Sequence, residues 1–394
     1  MSQLPIPLLP LAALDWLWIS LRVAFWLLGL LMLAGTLASL TRFPGWYVRG
    51  WDFPRVQIAL LSLLAGAGAA LSAVLQRQAA WYDWLFLLAM LCVAAWQTWR
   101  IHPYTKLVRR EVQPATARPG DPNVIHVVIS NVLQQNRSFD RWTEVISRED
   151  ADVIVAAEVD EEWARHIQQA LGATHSHGKI QAQENMYGMG LWTRLPLEDV
   201  EVEFIVQEDI PSIHATLCMK DGSRIRLRCL HPRPPTPQEG DSSAPRDAEL
   251  VIVGKRIRQE REDGHAEPTL VVGDLNDVAW SHTTRLFQKI SGLLDPRRGR
   301  GFYNTFSAHS RWFRFPLDHV FVSREFRLVD LRVLDHVGSD HFPVSITLSL
   351  EPEKQGDQAR LSPDADDHED AQETIETQVE REQKGQEEGT LSEP

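Results

Sequence analysis

Eight polar residues between positions 131 and 341 have side chains suited to phosphate chemistry. They are Asn131, Glu158, His231, Asp274, Asn276, Asp318, Asp340 and His341, and each stands beside a β-rich segment. Carboxylate oxygens bind Mg²⁺ well, a carboxylate can deprotonate a water, and an imidazole can donate a hydrogen bond to charge that develops on a phosphoryl oxygen. One Asn or Asp at a strand end is usually a capping or turn residue, but the whole set predicts metal-assisted attack of water on a phosphoester.

The residue types also indicate individual roles. Glu158 is the expected Mg²⁺ ligand, and Asp274 is expected to orient or deprotonate the attacking water. Asn131 and Asn276 can hydrogen-bond a phosphoryl oxygen or a metal-bound water. The two histidines of the set can donate to the phosphate, and an aspartate beside each would fix its tautomer.

Other common enzyme chemistries lack their motifs in this sequence. There is no GxSxG nucleophile motif, and neither GxxxxGK[ST] nor GxGxxG is present to cradle a nucleotide phosphate. The chain has three cysteines, which are too few for a disulfide scaffold. The sequence therefore favours hydrolysis of a phosphoester over covalent catalysis by a serine or cysteine.

The segments that must position these residues alternate between strand-like and helical patterns. Strands are predicted at 124–129, 152–157, 213–219, 224–230, 269–273, 319–323 and 344–350, and helices at 138–149, 161–171 and 246–262. The Asp221–Gly222 turn predicts a hairpin, so part of the sheet is expected to be antiparallel. In a mixed sheet the end of one strand and the start of its antiparallel neighbour share an edge. We therefore expect the polar residues to converge on one rim of an α/β fold.

Two motifs in this region resemble those of a known family. GDLND at 273–277 and GSDHFPV at 338–344 are similar to the signature segments of the endonuclease/exonuclease/phosphatase superfamily, the DNase I-like metal-dependent phosphoesterases. Further matching segments occur in the family's order: ISNVL at 129–133, AAE at 156–158, GLWTR at 190–194, CLHPRPP at 229–235 and PLDHVFVS at 316–323. The resemblance covers nearly all of residues 123–350.

The resemblance implies a fold and a metal site. The fold would be a four-layer α/β (α+β) sandwich of two packed mixed β-sheets flanked by helices, occupying residues 123–350. Glu158 would be the main ligand of Mg²⁺, with Mn²⁺ as an alternative ion. Asn131 would lie beside Glu158, and Asp340 would lie close to the metal.

The resemblance also implies the catalytic roles. Asp274 would activate the water, and Asn276 would hold the phosphate. His231 and His341 would stabilise the transition state, and Asp318 would orient His341. The enzyme would be a metal-dependent hydrolase of phosphoester bonds.

The first 110 residues are expected to form a membrane anchor. Three apolar stretches, at about 14–40, 56–75 and 81–99, each reach the roughly 20 residues that a helix needs to cross a bilayer. Tryptophans cluster at their ends, where the lipid headgroup region favours amphipathic rings. The alternative is a buried helical hairpin of a soluble domain.

The basic residues of the short loops predict the orientation. Arg42, Arg49 and Arg55 lie between the first two stretches, and Arg100, Lys106, Arg109 and Arg110 follow the third. With three spans these two groups share one side of the membrane, which the positive-inside rule places in the cytoplasm. We expect a multi-pass protein of the inner cell membrane with its catalytic domain in the cytoplasm.

Two further segments are expected to lack a fold of their own. Residues 111–122, with Pro114, Pro119 and Gly120, predict an extended linker. Residues 351–394 carry 4 basic and 15 acidic side chains, a net charge of −11, and have no aromatic residue. Such a segment buries too little apolar surface to offset its ordering entropy, so a disordered acidic tail is predicted.

The substrate is left open by the sequence. Residues 124–350 carry a net charge of −7, whereas an enzyme of duplex DNA usually presents a basic face. The segment 297–315 is locally basic and aromatic, which suits single-stranded nucleic acid as well as a lipid surface. The alternatives are a nuclease-like phosphodiesterase, a lipid-headgroup or inositide phosphatase or sphingomyelinase-like enzyme, and a non-catalytic membrane scaffold. The oligomeric state is not predicted.

Overall fold

The computed structural model describes residues 11–236, 240–264, 267–359 and 361–391, with side chains from 16 to 384. These residues form two compact units. The helical unit contains the described residues up to Phe43 together with Tyr47–Pro103, and the α/β unit contains Pro44–Trp46 and the described residues from Tyr104 onward. Residues 1–10 of the expected anchor and 392–394 of the expected tail lie outside the described residues.

The helical unit is built from three long helices and one short one. They are α1 (Leu11–Leu40), the short α2 (Trp46–Arg49), whose first residue belongs to the α/β unit, α3 (Arg55–Leu75) and α4 (Trp81–Ile101). The ranges Trp16–Leu40, Arg55–Leu75 and Trp81–Tyr104 are long and apolar enough to cross a membrane. These ranges agree with the three predicted stretches to within a few residues, while their insertion in a bilayer stays a prediction.

Close packing in this unit depends on small residues. A Cβ added to Gly68 of α3 would lie 2.5 Å from the Phe25 ring of α1, so only glycine lets these two helices approach so closely. The unit also buries charge. The Arg22 guanidinium donates to both carboxylate oxygens of Asp83, at 2.7 and 2.6 Å.

The α/β unit contains two mixed β-sheets. The first has β1 (Val124–Asn131), β2 (Val153–Ala157), β3 (His177–Gln181), β4 (Met189–Thr193), β10 (Phe326–Val333) and β11 (Val344–Leu350), in the order β10-β11-β1-β2-β4-β3. The second has β5 (Leu197–Glu203), β6 (Ser212–Cys218), β7 (Arg224–Cys229), β8 (Thr269–Asp274) and β9 (Asp318–Val322), in chain order. The pairs β1–β2 and β7–β8 are parallel and the others antiparallel. All seven predicted strands are present.

Alternating side chains assemble the layers. On β1, Ile125, Val127 and Ile129 enter the core between the sheets, while Val128 points outward, because successive residues of a strand face opposite sides. The outer face of the first sheet is covered by α5 (Phe139–Ser147) and α6 (Glu161–Leu171). The second sheet is covered by α7 (Ala244–Glu262) and α8 (His282–Ser291). The predicted four-layer sandwich of two mixed sheets is confirmed.

The sequence predicts an extended linker at 111–122, and in the structure this segment packs on the α/β unit. Val112 is fully buried in the core between the sheets. The Ala115 N–H donates to the Leu328 carbonyl of β10 at 2.8 Å. The prolines and the glycine are compatible with this extended path, so their presence did not distinguish a spacer from a strand-like edge.

The acidic C-terminal segment differs from the prediction of disorder. It forms a short 3-10 helix (Pro352–Asp357) and then α9 (Ala365–Leu391). Lys289 of α8 donates to both carboxylate oxygens of Asp367, at 2.7 and 2.8 Å. Ala371 is fully buried against α7 and α8. The composition argument considered the segment alone, whereas its acidic face pairs with basic residues of the α/β unit.

Candidate active site

The predicted site residues meet at one end of the two sheets. Asn131 is the last residue of β1 and Asp274 the last of β8, while Glu158 directly follows β2. Asp318 is the first residue of the antiparallel β9 and pairs in register with Asp274. Strand ends from both sheets therefore supply the site, as the sequence predicts.

Asn131 joins the carboxylates of the two sheets. Its amide nitrogen donates to Glu158 Oε1 at 2.8 Å and to Asp274 Oδ2 at 3.1 Å. Its Oδ1 accepts the Leu133 N–H at 3.0 Å, which fixes the amide orientation. One neutral side chain thus holds two buried acids close together.

Asp274, His341 and Asp318 form a second chain of contacts. His341 Nδ1 lies 2.8 Å from Asp318 Oδ2, and Nε2 lies 3.4 Å from Asp274 Oδ2. Burial lowers the pKa of His341, but the carboxylates of Asp274 and Asp318 outweigh burial and hold this pKa above its ordinary value. Burial raises the pKa of Asp274, against the opposing charge of His341. The imidazole is therefore a cationic donor between two acids at neutral pH.

Glu158 is the buried acid whose contacts fit a metal ion. It is 9% exposed and, within the described part of the chain, accepts hydrogen bonds from the Asn131 amide and, at 3.2 Å, from the Gln134 N–H. Among the described residues no Lys or Arg pairs with it. Burial, together with the nearby Asp340 charge, raises the pKa of Glu158 to about 7, against the opposing hydrogen bonds of Asn131 and Gln134 and the charge of His341. A buried carboxylate without a cationic partner suits a hard divalent cation.

The backbone at two site residues adopts the left-handed region. Glu158, directly after the end of β2, has φ of 60°, and Asn276, two residues after the end of β8, has φ of 51°. Non-glycine residues in this region cost free energy and occur often at functional sites. The conformation at each of these positions turns the chain sharply at the rim of the sheet.

Asn276 is held by contacts on both sides of its loop. Its N–H donates to Asp274 Oδ1 at 2.9 Å, and its amide nitrogen donates to the Pro232 carbonyl at 3.0 Å. The buried Arg246 of α7 donates to the Asn276 carbonyl at 2.6 Å. The structure therefore places Asn276 beside Asp274, as predicted, with its amide bound to the loop that follows β7.

His231 lies at the same rim with an unused ring nitrogen. It is 2% exposed, and its Nδ1 has no hydrogen-bond partner among the described residues. Burial and the charge of His341 lower the pKa of His231 to about 4, while Asp318 opposes this shift. The neutral imidazole is a free hydrogen-bonding group beside the acids.

Several residues around the site escape prediction from sequence. The Phe306 ring lies 4.9 Å from the His341 ring, and the Tyr187 ring lies 5.6 Å from His231. Arg246 supports the Asn276 loop from 30 positions away in the chain. Tyr187 and Arg246 belong to no motif and stand at no end of a predicted strand, so no local signal marked them. Phe306 belongs to the basic and aromatic segment 297–315, and this pattern marks the segment but not the contact with His341.

A second position could hold a metal ion if only distances are considered. The potential ligand atoms of Asp274, Asp318 and His341 lie within 4.8 Å of one another. Both ring nitrogens of His341, however, already face a carboxylate oxygen. Metal at this position would have to displace the imidazole proton that Asp318 accepts. The donor chemistry therefore fits a proton-handling group here and a metal at Glu158.

Comparison with known proteins identifies the family. The model of the Endonuclease/Exonuclease/phosphatase family matches residues 129–341, which is more than half of the 394 residues. All eight predicted site residues lie inside the matched range. No curated protein matches the chain.

Three similar solved structures illustrate the range of proteins found. Humanized D. rerio TDP2 carrying 14 mutations is 14% identical with a TM-score of 0.48, over 58% of this chain and 99% of that one. The human Nocturnin catalytic domain is 17% identical with a TM-score of 0.46, over 58% and 95%. Sphingomyelinase C from Streptomyces griseocarneus is 14% identical with a TM-score of 0.44, over 57% and 99%.

Proposed function

This chain belongs to the endonuclease/exonuclease/phosphatase family of hydrolases acting on phosphoester bonds, and we propose that it is a membrane-anchored, Mg²⁺-dependent phosphodiesterase. The observation that carries the proposal is the buried cluster in which Asp274 and His341 face each other at 3.4 Å beside the Asn131–Glu158 pair. This cluster contains a base, a cationic donor and a metal-type carboxylate within one rim.

The proposed chemistry divides the work between Asp274 and the imidazoles. Asp274 accepts the proton of the attacking water, for which a raised pKa makes it a better base. His341, oriented by Asp318, donates a hydrogen bond to a phosphoryl oxygen as negative charge develops there. The free Nδ1 of His231 offers a second hydrogen bond to the phosphate.

Glu158 would hold the metal, with Asn131 beside it and Asp340 near it. A bound divalent cation would neutralise charge on the phosphoryl group. Asn276, whose loop is fixed by Asp274 and Arg246, would contact the phosphate.

The test compares a phosphodiester with a phosphomonoester. Purified full-length chain in detergent with Mg²⁺ is assayed on bis-p-nitrophenyl phosphate and on p-nitrophenyl phosphate. We expect a higher kcat/KM for the diester, and loss of this activity in Asp274→Asn. A higher kcat/KM for the monoester would assign a phosphatase, and no Mg²⁺-dependent hydrolysis of any phosphoester, including nucleic acid and phospholipid, would contradict the proposal.

A lipid phosphoester is the second candidate substrate, and a specific surface favours it. Trp312 is 79% exposed and Phe313 is 59% exposed, in a loop beside the site. The Ala308 N–H of this loop donates to the Asp340 carbonyl at 2.6 Å, and the Arg314 guanidinium lies 4.6 Å from the Phe342 ring. Exposed aromatic rings beside arginines suit a lipid headgroup surface.

Variants of this loop distinguish the two substrates. Trp312→Ala with Phe313→Ala should reduce hydrolysis of phospholipid in anionic vesicles while leaving bis-p-nitrophenyl phosphate hydrolysis unchanged. Phe204→Ala, at a 41% exposed aromatic residue, is the matched control. Equal effects on a vesicle-bound and a soluble substrate would remove the support for a lipid.

The location of the enzyme is part of the proposal. Three candidate spans and the loop arginines support a multi-pass inner-membrane protein whose α/β unit lies in the cytoplasm. A fluorescent protein fused to the C terminus should fluoresce, and alkaline phosphatase fused there should be inactive. The reverse pattern would place the α/β unit on the other side of the membrane.

A further inference from the structure

A buried set of charged residues lies behind the proposed catalytic cluster and has no role in the chemistry above. Arg297 is 4% exposed and Asp295 is fully buried. Arg297 Nε donates to Asp295 Oδ1 at 2.9 Å and Nη2 donates to Oδ2 at 2.8 Å, a two-pronged ion pair. Such a pair fixes the plane of the guanidinium and directs its remaining donors.

Those remaining donors point at the start of β9. Arg297 Nη1 donates to the Asp318 carbonyl at 3.3 Å, and Nη2 donates to His319 Nδ1 at 2.7 Å. Because arginine only donates, His319 Nδ1 must accept, and the proton of this ring stays on Nε2. That Nε2–H donates to the Asp277 carbonyl at 2.8 Å. Burial and the Arg297 charge lower the pKa of His319, which agrees with a neutral ring.

The orientation of the Asp318 carboxylate depends on this backbone. Its Oδ2 faces His341, while its Oδ1 is buried without a hydrogen-bond partner among the described residues. The Asp318 N–H donates to Thr305 Oγ1 at 3.3 Å. Arg297 and Thr305 are thus two side chains that add to the pairing of Asp318 with β8 in holding its main chain, and through it the direction of the carboxylate.

The other end of the set reaches the segment that follows α4. The Asp295 N–H donates to Glu111 Oε2 at 2.9 Å, and Arg298 Nη1 lies 3.2 Å from Glu111 Oε1. The Glu111 N–H donates back to the Arg298 carbonyl at 3.3 Å. Glu111 therefore binds both ends of the turn that carries Arg297.

We propose that Arg297 is a positioning residue for the Asp318–His341 pair, and that Glu111 sets its position by holding the turn 295–298. The inference rests on the proposed function, because it concerns the same catalytic pair. Under this proposal the segment between α4 and β1 contributes to the geometry of the active site through Glu111. An exchange of Arg297 changes the rate through Asp318, since Arg297 itself does not reach the reacting atoms.

The test measures kcat and KM of full-length variants on bis-p-nitrophenyl phosphate, corrected for the folded fraction. Arg297→Lys keeps the charge but cannot bind Asp295, Asp318 and His319 together, so kcat should fall about 10-fold or more with KM within about twofold. Glu111→Gln keeps the shape but loses the charge opposite Arg298, and kcat should fall by a smaller factor. Unchanged kcat per folded molecule in Arg297→Lys would overturn the inference.

A matched control lies in the same loop. Arg300 donates to the Pro296 carbonyl at 2.9 Å and to the Val112 carbonyl at 2.6 Å, and it makes no contact with Asp318 or His319 in the described structure. Arg300→Lys should lower thermal stability without changing kcat per folded molecule. A loss of kcat equal to that of Arg297→Lys would show that any damage to this loop suffices, which contradicts a specific role for Arg297.

Two further measurements distinguish failure of the positioning role from failure of the proposed function. The double variant Glu111→Gln/Arg297→Lys should lose less than the product of the single losses, because the two residues act along one chain of contacts. Multiplicative losses would show that Glu111 does not act through Arg297. Asp274→Asn measured in parallel reports on the proposed function itself. If it keeps the wild-type rate, the function fails, whereas an inactive Asp274→Asn beside a fully active Arg297→Lys rejects only the positioning role.

Discussion

The helical unit and the rim of the α/β unit both bury charged side chains, but they balance them differently. In the helical unit Arg22 pairs with Asp83, and Arg55 pairs with Asp52 and donates to the Gln97 amide at 2.8 Å. Both of these acids, Asp52 and Asp83, therefore have a cationic partner. At the rim, Glu158 has only neutral donors, and Asp274 and Asp318 share one imidazole.

The difference separates structural charge from reactive charge. A buried acid that is paired with arginine stays ionised and is occupied by its partner. A surplus of buried acid leaves oxygen atoms that a cation, a proton or a substrate can use. The rim of the α/β unit has this surplus, which is why we assign the chemistry to it and a structural role to the ion pairs of the helices.

The largest expected effect is a loss of turnover when an acid or the imidazole at the rim is replaced. Asp274→Asn should lower kcat by about 10²-fold or more with little change in KM, because it removes the proton acceptor. His341→Ala should have a similar effect, and the double variant should lose less than the product. Asp221→Asn, in an exposed turn, is the control. If kcat per folded molecule stays at the wild-type level, Asp274 only ties down its loop.

The structural side of the comparison predicts a loss of stability instead. Asp83→Asn leaves Arg22 without a charged partner, which should cost about 3 kcal/mol. Unfolding by sodium dodecyl sulfate in detergent micelles, followed by circular dichroism, measures this. Turnover per folded molecule should not change, and Arg77→Gln, at an exposed loop arginine, should change neither quantity. A stability equal to wild type would mean that the helices do not need the pair.

Removing the charge of Glu158 at the rim should raise the stability of the protein, whereas removing the charge of Asp83 should lower it. Burial raises the pKa of Glu158 from an ordinary 4.5 to about 7, so the folded state disfavours its ionised form. The contribution of Glu158 to the stability of the metal-free protein is therefore greatest below about pH 4.5 and falls as pH rises to about 7. In the presence of a chelator, Glu158→Gln should remove this fall and stabilise the protein by about 3 kcal/mol above pH 7. Destabilisation at pH 8 would show that Glu158 has a hidden favourable partner.

The smallest effect is expected from the acidic C-terminal helix. Removing residues 361–394 deletes the Lys289–Asp367 ion pair and exposes the surface that Ala371 covers. The loss should be about 1 kcal/mol, because partly exposed ion pairs contribute little. Thermal unfolding measures it, and high salt should reduce the difference. Lys289→Gln alone should reproduce much of the loss, whereas no difference in unfolding temperature would indicate that α9 does not dock in solution.

The sequence predicted the site residues at the rim better than the residues that hold them in place. Asn131, Glu158, Asp274 and Asp318 were found because strand ends are visible as the borders of apolar segments. Glu111 and Asp295 lie 184 positions apart, and no period or motif connects them. Their contact exists only because the loops of the sandwich bring distant segments together.

The C-terminal segment shows a different limit. Its composition favours disorder when the segment is considered alone. The basic residues of α7 and α8 are ordinary surface residues in the sequence, and only the packed structure places Lys289 opposite Asp367. Local composition therefore could not predict whether the tail docks.

We propose that the surplus buried acid at the rim binds a divalent metal and supports phosphoester hydrolysis. The most direct test is the Mg²⁺ dependence of turnover of the full-length chain, for wild type, Glu158→Gln and the exposed control Glu161→Gln. Wild type and Glu161→Gln should be active with Mg²⁺ and inactive with a chelator, and Glu158→Gln should need at least about 10-fold more Mg²⁺ for the same rate. Full activity of Glu158→Gln in the presence of the chelator would contradict the account.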